Sequence, residues 1–235
     1  AEQRPWEMIL IGFFYASLSV LLAEWIFGGN QVLAQYMGIF IIMFCVIFSM
    51  PYMYYAIKME ERKDLIYDEE LTLLKEHGKA LLTFLALFLG FVIAFSVGYV
   101  VMPDSQNLFR AQIETFCQIN SGDSYLDCIK QYGVETSTRI TGGITSTNRF
   151  FSIFANNIYV LIFTLMLSLI FGAGAIFILA WNASVIAAAI GIFAKNQLAN
   201  LHMGFARYMV FHGLLEISAY FVAALAGGIL SSAII

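Results

Sequence analysis

From Ile158 to Ala194 the chain carries no charged residue. Those 37 residues are too many for one membrane crossing, which takes about 20 residues at a rise of about 1.5 Å each. The run must fold into more than one apolar element. Its polar string WNAS, Trp181 to Ser184, offers a place to divide it. A full span to about Ala180, followed by a short helix from about Ala183 to Ala194, is the expected arrangement. That short helix is either a thin span or a re-entrant half-helix.

Three further apolar segments precede this run, at about Met8–Phe27, Val32–Ile57 and Ala80–Met102, and another runs from about Tyr208 to the end. The whole chain of 235 residues is 60% hydrophobic and 12% charged, against about 25% charged in an ordinary soluble domain. Its mean hydropathy is +0.80. The expected fold class is therefore all-α. We read residues 1–235 as one polytopic helical membrane domain, with five full transmembrane spans plus the short hydrophobic helix. Met8–Phe27 is followed by no small-residue cleavage site and is read as a span rather than a signal peptide. The chain opens at AEQRPW without methionine, which leaves room for a preceding segment. No basic tract points to nucleic acid.

Lysines and arginines set the expected orientation. Residues 58–79 hold Lys58, Arg62, Lys63, Lys75 and Lys79, whereas the loop GGNQ holds none and residues 103–149 hold four in 47. The bias places 58–79 in the cytoplasm, 103–149 outside, and the N-terminus of a multi-pass plasma-membrane protein in the cytoplasm. Residues 58–79 read as an amphipathic linker near the membrane face. It is either a solvated connector or a docking helix for a partner. In the outer loop, DSQNLFRAQIETFCQI predicts a short helix with Leu108, Ile113 and Phe116 on its apolar side. Cys117 and Cys128 bracket QINSGDSYLD there and are expected to form a disulfide, the alternative being two free thiols. VETSTRITGGITSTNRFF, which ends that loop, reads as turn-rich.

Polar groups inside apolar segments are costly and face protein or a cavity. Glu24 lies near the outer end of the first segment and reaches the interface beside Trp25. Asn156 and Asn157 open the fourth segment as helix caps, and Asn182 satisfies backbone groups freed at the break. In FHGLLEISAYFVAALAGGIL, His212 and Glu216 lie four residues apart, about 40° from each other on a helical wheel. Ala219, Ala223 and Ala226 continue that side as a packing face. Three roles remain open for the pair: a structural polar cluster with Asn156, Asn157 and Asn182, a proton or ion path, or a metal site. Two ligands fall short of a metal set, with His202 and His77 scattered, and no catalytic nucleophile set can be assembled. No metal, cofactor or enzymatic activity is expected. The small-residue stripe Ala219, Ala223, Gly227 and Ser231 is a candidate homodimer face.

These residues resemble the stage II sporulation protein M family of integral membrane proteins, especially its archaeal members. The likeness rests on RPWEMILIGFFYASLSVLLAEWIF, LTLLKEHGKAL, NNIYVLIF, the Asn182 region and HGLLEISA, and it extends over nearly the whole chain. The family often has glycine after the mid-membrane asparagine, where this chain has Ala183. In spore-forming bacteria the family member is a membrane anchor that recruits peptidoglycan-degrading enzymes. The resemblance thus implies a scaffold in the bilayer with protein partners at the external loop or the cytoplasmic linker. A transporter, channel or permease-like subunit using His212 and Glu216 is the alternative.

Overall fold

A computed structural model describes residues 4–66, 69–121, 125–132, 146–171, 174, 176–196 and 214–234. Among them the regular structure is helical throughout. The long helices are α1 (Glu7–Phe27), α3 (Met37–Asp64), α4 (Glu70–Val101), α8 (Ser146–Phe171), α9 (Ile176–Asn196) and α10 (Leu214–Ile234). Shorter ones are α2 (Gln31–Ala34), α5 (Ser105–Leu108), α6 (Arg110–Ser121) and α7 (Tyr125–Gln131). Among the described residues, four helices are long and apolar enough to cross a membrane, at Glu7–Phe27, Met37–Lys63, Leu71–Val101 and Ile176–Lys195. Asn157–Ile170 and Glu216–Ser231 are shorter apolar stretches.

α4 is the central helix. It buries Phe84, Phe91 and Phe95 almost completely, and α1, α3, α9 and α10 all pack on it. α1 reaches it through glycine. A Cβ on Gly12 would lie 2.3 Å from the Leu87 carbonyl oxygen, and one on Gly90 would lie 2.3 Å from the Ile9 carbonyl oxygen. Two backbones approach this closely only where neither carries a side chain. Val20 meets Gly98 eight residues further along both helices, so α1 and α4 run parallel. α3 runs against α1, with Phe27 stacked on Phe40 at 4.2 Å between centroids and Tyr15 near Phe48.

α8 and α10 also run parallel. Asn157 pairs with Glu216 near their starts, and Gly227 lies against Leu165 and Ser168 near their ends. The Ser168 hydroxyl donates to the Ala224 carbonyl at 2.6 Å. α8 packs chiefly on α10, which in turn packs on α3, α4 and α9.

The division of the long apolar run differs from expectation. α8 ends at Phe171 and α9 begins at Ile176, around the string GAGA, while α9 continues unbroken through Asn182. Asn182 donates to the Ile178 carbonyl of its own helix at 2.7 Å, and Ser184 donates to that of Trp181 at 2.7 Å. Bonded back in this way, a polar side chain sits inside a helix without ending it. No separate short helix begins at Ala183. Of Lys58 to Lys79, residues 58–64 continue α3 and residues 70–79 open α4, while 67–68 lie outside the described residues. Residues 133–145 of the outer loop, which hold most of its turn-rich end, lie outside the described residues.

Beyond α4 the chain builds a small cap from α5, α6 and α7. Leu108, Ile113 and Phe116 are buried, on the predicted apolar side. The Cys117–Cys128 disulfide is present, with 5.8 Å between Cα atoms. Phe116 meets Phe193 of α9 and Tyr132 edge to face. Two polar contacts seat the cap. Gln112, fully buried, donates to the Gly38 carbonyl at 3.0 Å. Lys195, at the end of α9, donates to the Ser105 hydroxyl at 2.7 Å and stands 5.3 Å from the centre of the Tyr99 ring.

Candidate functional site

The first candidate joins α8 to α10. The Asn157 amide donates to the Glu216 carboxylate at 2.5 Å, and the Tyr220 hydroxyl donates to the Asn157 carbonyl oxygen at 3.1 Å. Glu216 and Tyr220 are four apart and share a helix face. One asparagine therefore engages two residues of the facing helix, one as donor and one as acceptor. In apolar surroundings such bonds replace those water would otherwise make. The arrangement can fix the register of α8 on α10, and it also forms a short chain of exchangeable groups.

The other predicted residues fall differently. Asn157 lies well inside α8, where backbone groups already bond within the helix, so it is not a cap. Asn156 is inside α8 for the same reason, and its side chain falls outside the described part of the structure. Asn182 bonds to its own helix rather than bridging to Glu216. His212 lies outside the described residues. Of the small-residue stripe, Ala219 is exposed and Ala223 half-buried, while Gly227 and Ser231 are buried. Gly227 is taken up by α8 of the same chain.

A second cluster lies where α3 leaves the apolar region. Glu60 is fully buried. Its carboxylate lies 2.9 Å from His77 Nδ1 of α4 and accepts from Lys63 Nζ at 2.7 Å. Lys63 also lies 3.8 Å from Glu76, which pairs with Lys79. A buried carboxylate persists when it is paired and bonded on several sides. Sequence reasoning left His77 as scattered and passed over Glu60. The signal was available: Ser49, Met53, Ile57 and Glu60 follow one another at helical spacing and are all buried, so extending the buried stripe by one turn selects Glu60.

In the cap, burial raises the phenol pKa of Tyr132. Burial also raises that of Tyr125; the Glu114 carboxylate adds to this and Arg110 opposes it. Among the described residues, no three His, Cys, Asp or Glu side chains gather as a metal set.

The family model for stage II sporulation protein M matches residues 79–234, about two thirds of the chain. The chain belongs to the stage II sporulation protein M family. No curated protein and no solved structure matches it. The sporulation protein M match takes in α4 from Lys79 onward, the cap, and α8 to α10, and with them Asn157, Asn182, Glu216 and Tyr220. α1 and α3 lie outside it, as do Glu60 and His77. The buried ion cluster is thus added to the family region by the part of this chain that precedes it.

Proposed function

We propose that this sporulation protein M relative is a non-enzymatic scaffold of the plasma membrane that organises a membrane-associated complex. The cap is the observation that carries the reading. It is a polar unit tied by a disulfide and seated by Gln112 and Lys195 on the ends of α3 and α9, so it presents a fixed surface to a partner. The bonding of Asn157, Glu216, Tyr220 and Ser168 between α8 and α10 supports the same reading, because it holds helices together. In this proposal α1, α4 and α9 cross the bilayer in one direction and α3, α8 and α10 in the other. The lysine-rich ends of α3 and α4 then face the cytoplasm with the N-terminus, and the cap faces outward. An archaeal-type member would serve a complex other than one that degrades peptidoglycan.

A transporter, channel or permease-like subunit is the second reading. The Tyr220–Asn157–Glu216 chain favours it, being a run of exchangeable protons. A homodimer would use Ala219 and Ala223, and a monomeric mass in native micelles would remove that proposal.

The test is mild cross-linking in native membranes, followed by identification of co-purifying proteins. A reproducible partner lost when the cap is altered supports the scaffold. Proton flux through wild-type proteoliposomes that stops in Glu216→Gln would replace it with the transporter, since glutamine keeps the size and loses the titration.

A further inference from the structure

The inward side of the last turns of α3 satisfies its charges internally, through Glu60, Lys63, His77 and Glu76. The outward side does not. Lys58 and Arg62 lie one turn apart on it, and among the described residues neither has a carboxylate partner. Tyr54 and Tyr55 precede them, 54% and 65% exposed. These four residues, with Met59, line a shallow recess on the surface of α3. Lys58 Nζ stands 5.9 Å from the centre of the Tyr54 ring. On a wheel at about 100° per residue, Tyr54, Lys58 and Arg62 form one stripe, with Tyr55 beside it.

The level of the recess along the bundle is fixed by α1. Tyr15 lies near Phe48, and the two helices run in opposite directions. Nine residues back from Tyr15 is Trp6, 58% exposed; nine residues on from Phe48 is Ile57. Each step covers about 13 Å, so Trp6 stands level with Ile57 by this pair and with Glu61 by the Phe27–Phe40 pair, on the last turns of α3 either way. Exposed tryptophan and tyrosine at one height mark a membrane–water boundary. With α3 crossing the bilayer, Lys58 and Arg62 would emerge at the height of the phospholipid phosphates.

We propose that Tyr54, Tyr55, Lys58 and Arg62 form a binding site for an anionic phospholipid. The Lys58 ammonium and the Arg62 guanidinium donate to the phosphate, and arginine can do so through two parallel N–H groups. The two tyrosine rings flank the start of the acyl chains. A lipid is the occupant because the recess joins two cations to two exposed tyrosine rings on an otherwise apolar helix. The site depends on α3 crossing the bilayer and is independent of the scaffold role.

The experiment is native mass spectrometry of the detergent-solubilised protein titrated with phosphatidylglycerol or with phosphatidylcholine. Wild type should retain phosphatidylglycerol in preference to phosphatidylcholine. Two basic groups near a headgroup together correspond to about thirty-fold in affinity, so Lys58→Gln/Arg62→Gln should weaken phosphatidylglycerol binding by about that factor. Lys195→Gln, at the other end of the bundle, should leave it unchanged. If the double variant does not purify folded, Lys58→Gln and Arg62→Gln singly should each lose about five-fold. Equal retention by wild type and variants, or equal binding of the two lipids, would overturn the site. Displacement of the lipid by millimolar inorganic phosphate would do so too, by showing a simple anion site. Loss of lipid binding with partner capture intact separates this site from the scaffold proposal.

Discussion

Gly12 of α1 and Gly90 of α4 meet backbone to backbone, and a Cβ on Gly90 would lie 3.0 Å from the Gly12 Cα. No flexible side chain is available there to give way, because the nearest atoms are carbonyls and amides of the opposing helix. Gly12→Ala should destabilise the bundle by about 1–3 kcal/mol or more, and Gly12→Leu should prevent α1 from docking. Gly29→Ala, with nothing near its Cβ, should leave stability unchanged. Unfolding in mixed micelles followed by circular dichroism reads the difference; equal midpoints for Gly12→Ala and wild type would refute the close crossing.

Removing Glu60 should cost more than removing its partners. Its loss leaves Lys63 and His77 without their shared acceptor in a buried place, a change of about 3–5 kcal/mol for buried pairs. A double-mutant cycle of Glu60→Gln and His77→Gln should give a coupling of about 0.5–3 kcal/mol. Strict additivity would mean that the two side chains do not interact.

Reduction of Cys117–Cys128 should loosen the cap and leave the membrane helices folded. The closed loop is short, with a sequence separation of 11, and the chain-entropy estimate is roughly 3 kcal/mol. Amide exchange in α6 and α7 should rise in Cys117→Ser/Cys128→Ser while α4 stays protected. Alkylation of both thiols in the untreated native protein would show that the bond is not formed in the membrane.

The cap should also weaken in alkali. Tyr125 and Tyr132 have folded pKa values raised above 10. Their phenols stay protonated in the folded cap after they would ionise in the unfolded chain. The contribution is complete below pH 10 and is lost as pH rises through the folded values. Absorbance at 295 nm should show later ionisation in wild type than in the cap-reduced protein, and Tyr132→Phe should remove part of the alkaline loss. A cap whose protection is the same on both sides of pH 10 would count against this.

Much of the architecture could be read from spacing alone. The apolar runs located α1, α3, α4 and α10, and Leu108, Ile113 and Phe116 located the cap helix, because burial repeats at the helical period. The break in the long run was misplaced because polarity was taken as the signal. Asn182 and Ser184 bond within their own helix, whereas glycine generally weakens a helix and the string GAGA between α8 and α9 holds two. At the candidate site Glu216 was visible as a lone carboxylate, but its bond to Asn157 is not, since the two are 59 residues apart. Tyr220 was within reach, being one turn from Glu216 on the same face.

The parallel course of α8 and α10 has a consequence for how the molecule is made. Two helices that point the same way cannot be neighbours in a hairpin, so α9 must be laid down between them. Since α8 rests chiefly on α10, its main partner is made only after α9. α10 thus completes the seat of α8, and a nascent chain arrested before Leu214 would present to quality-control machinery a bundle whose α8 is still unmoored.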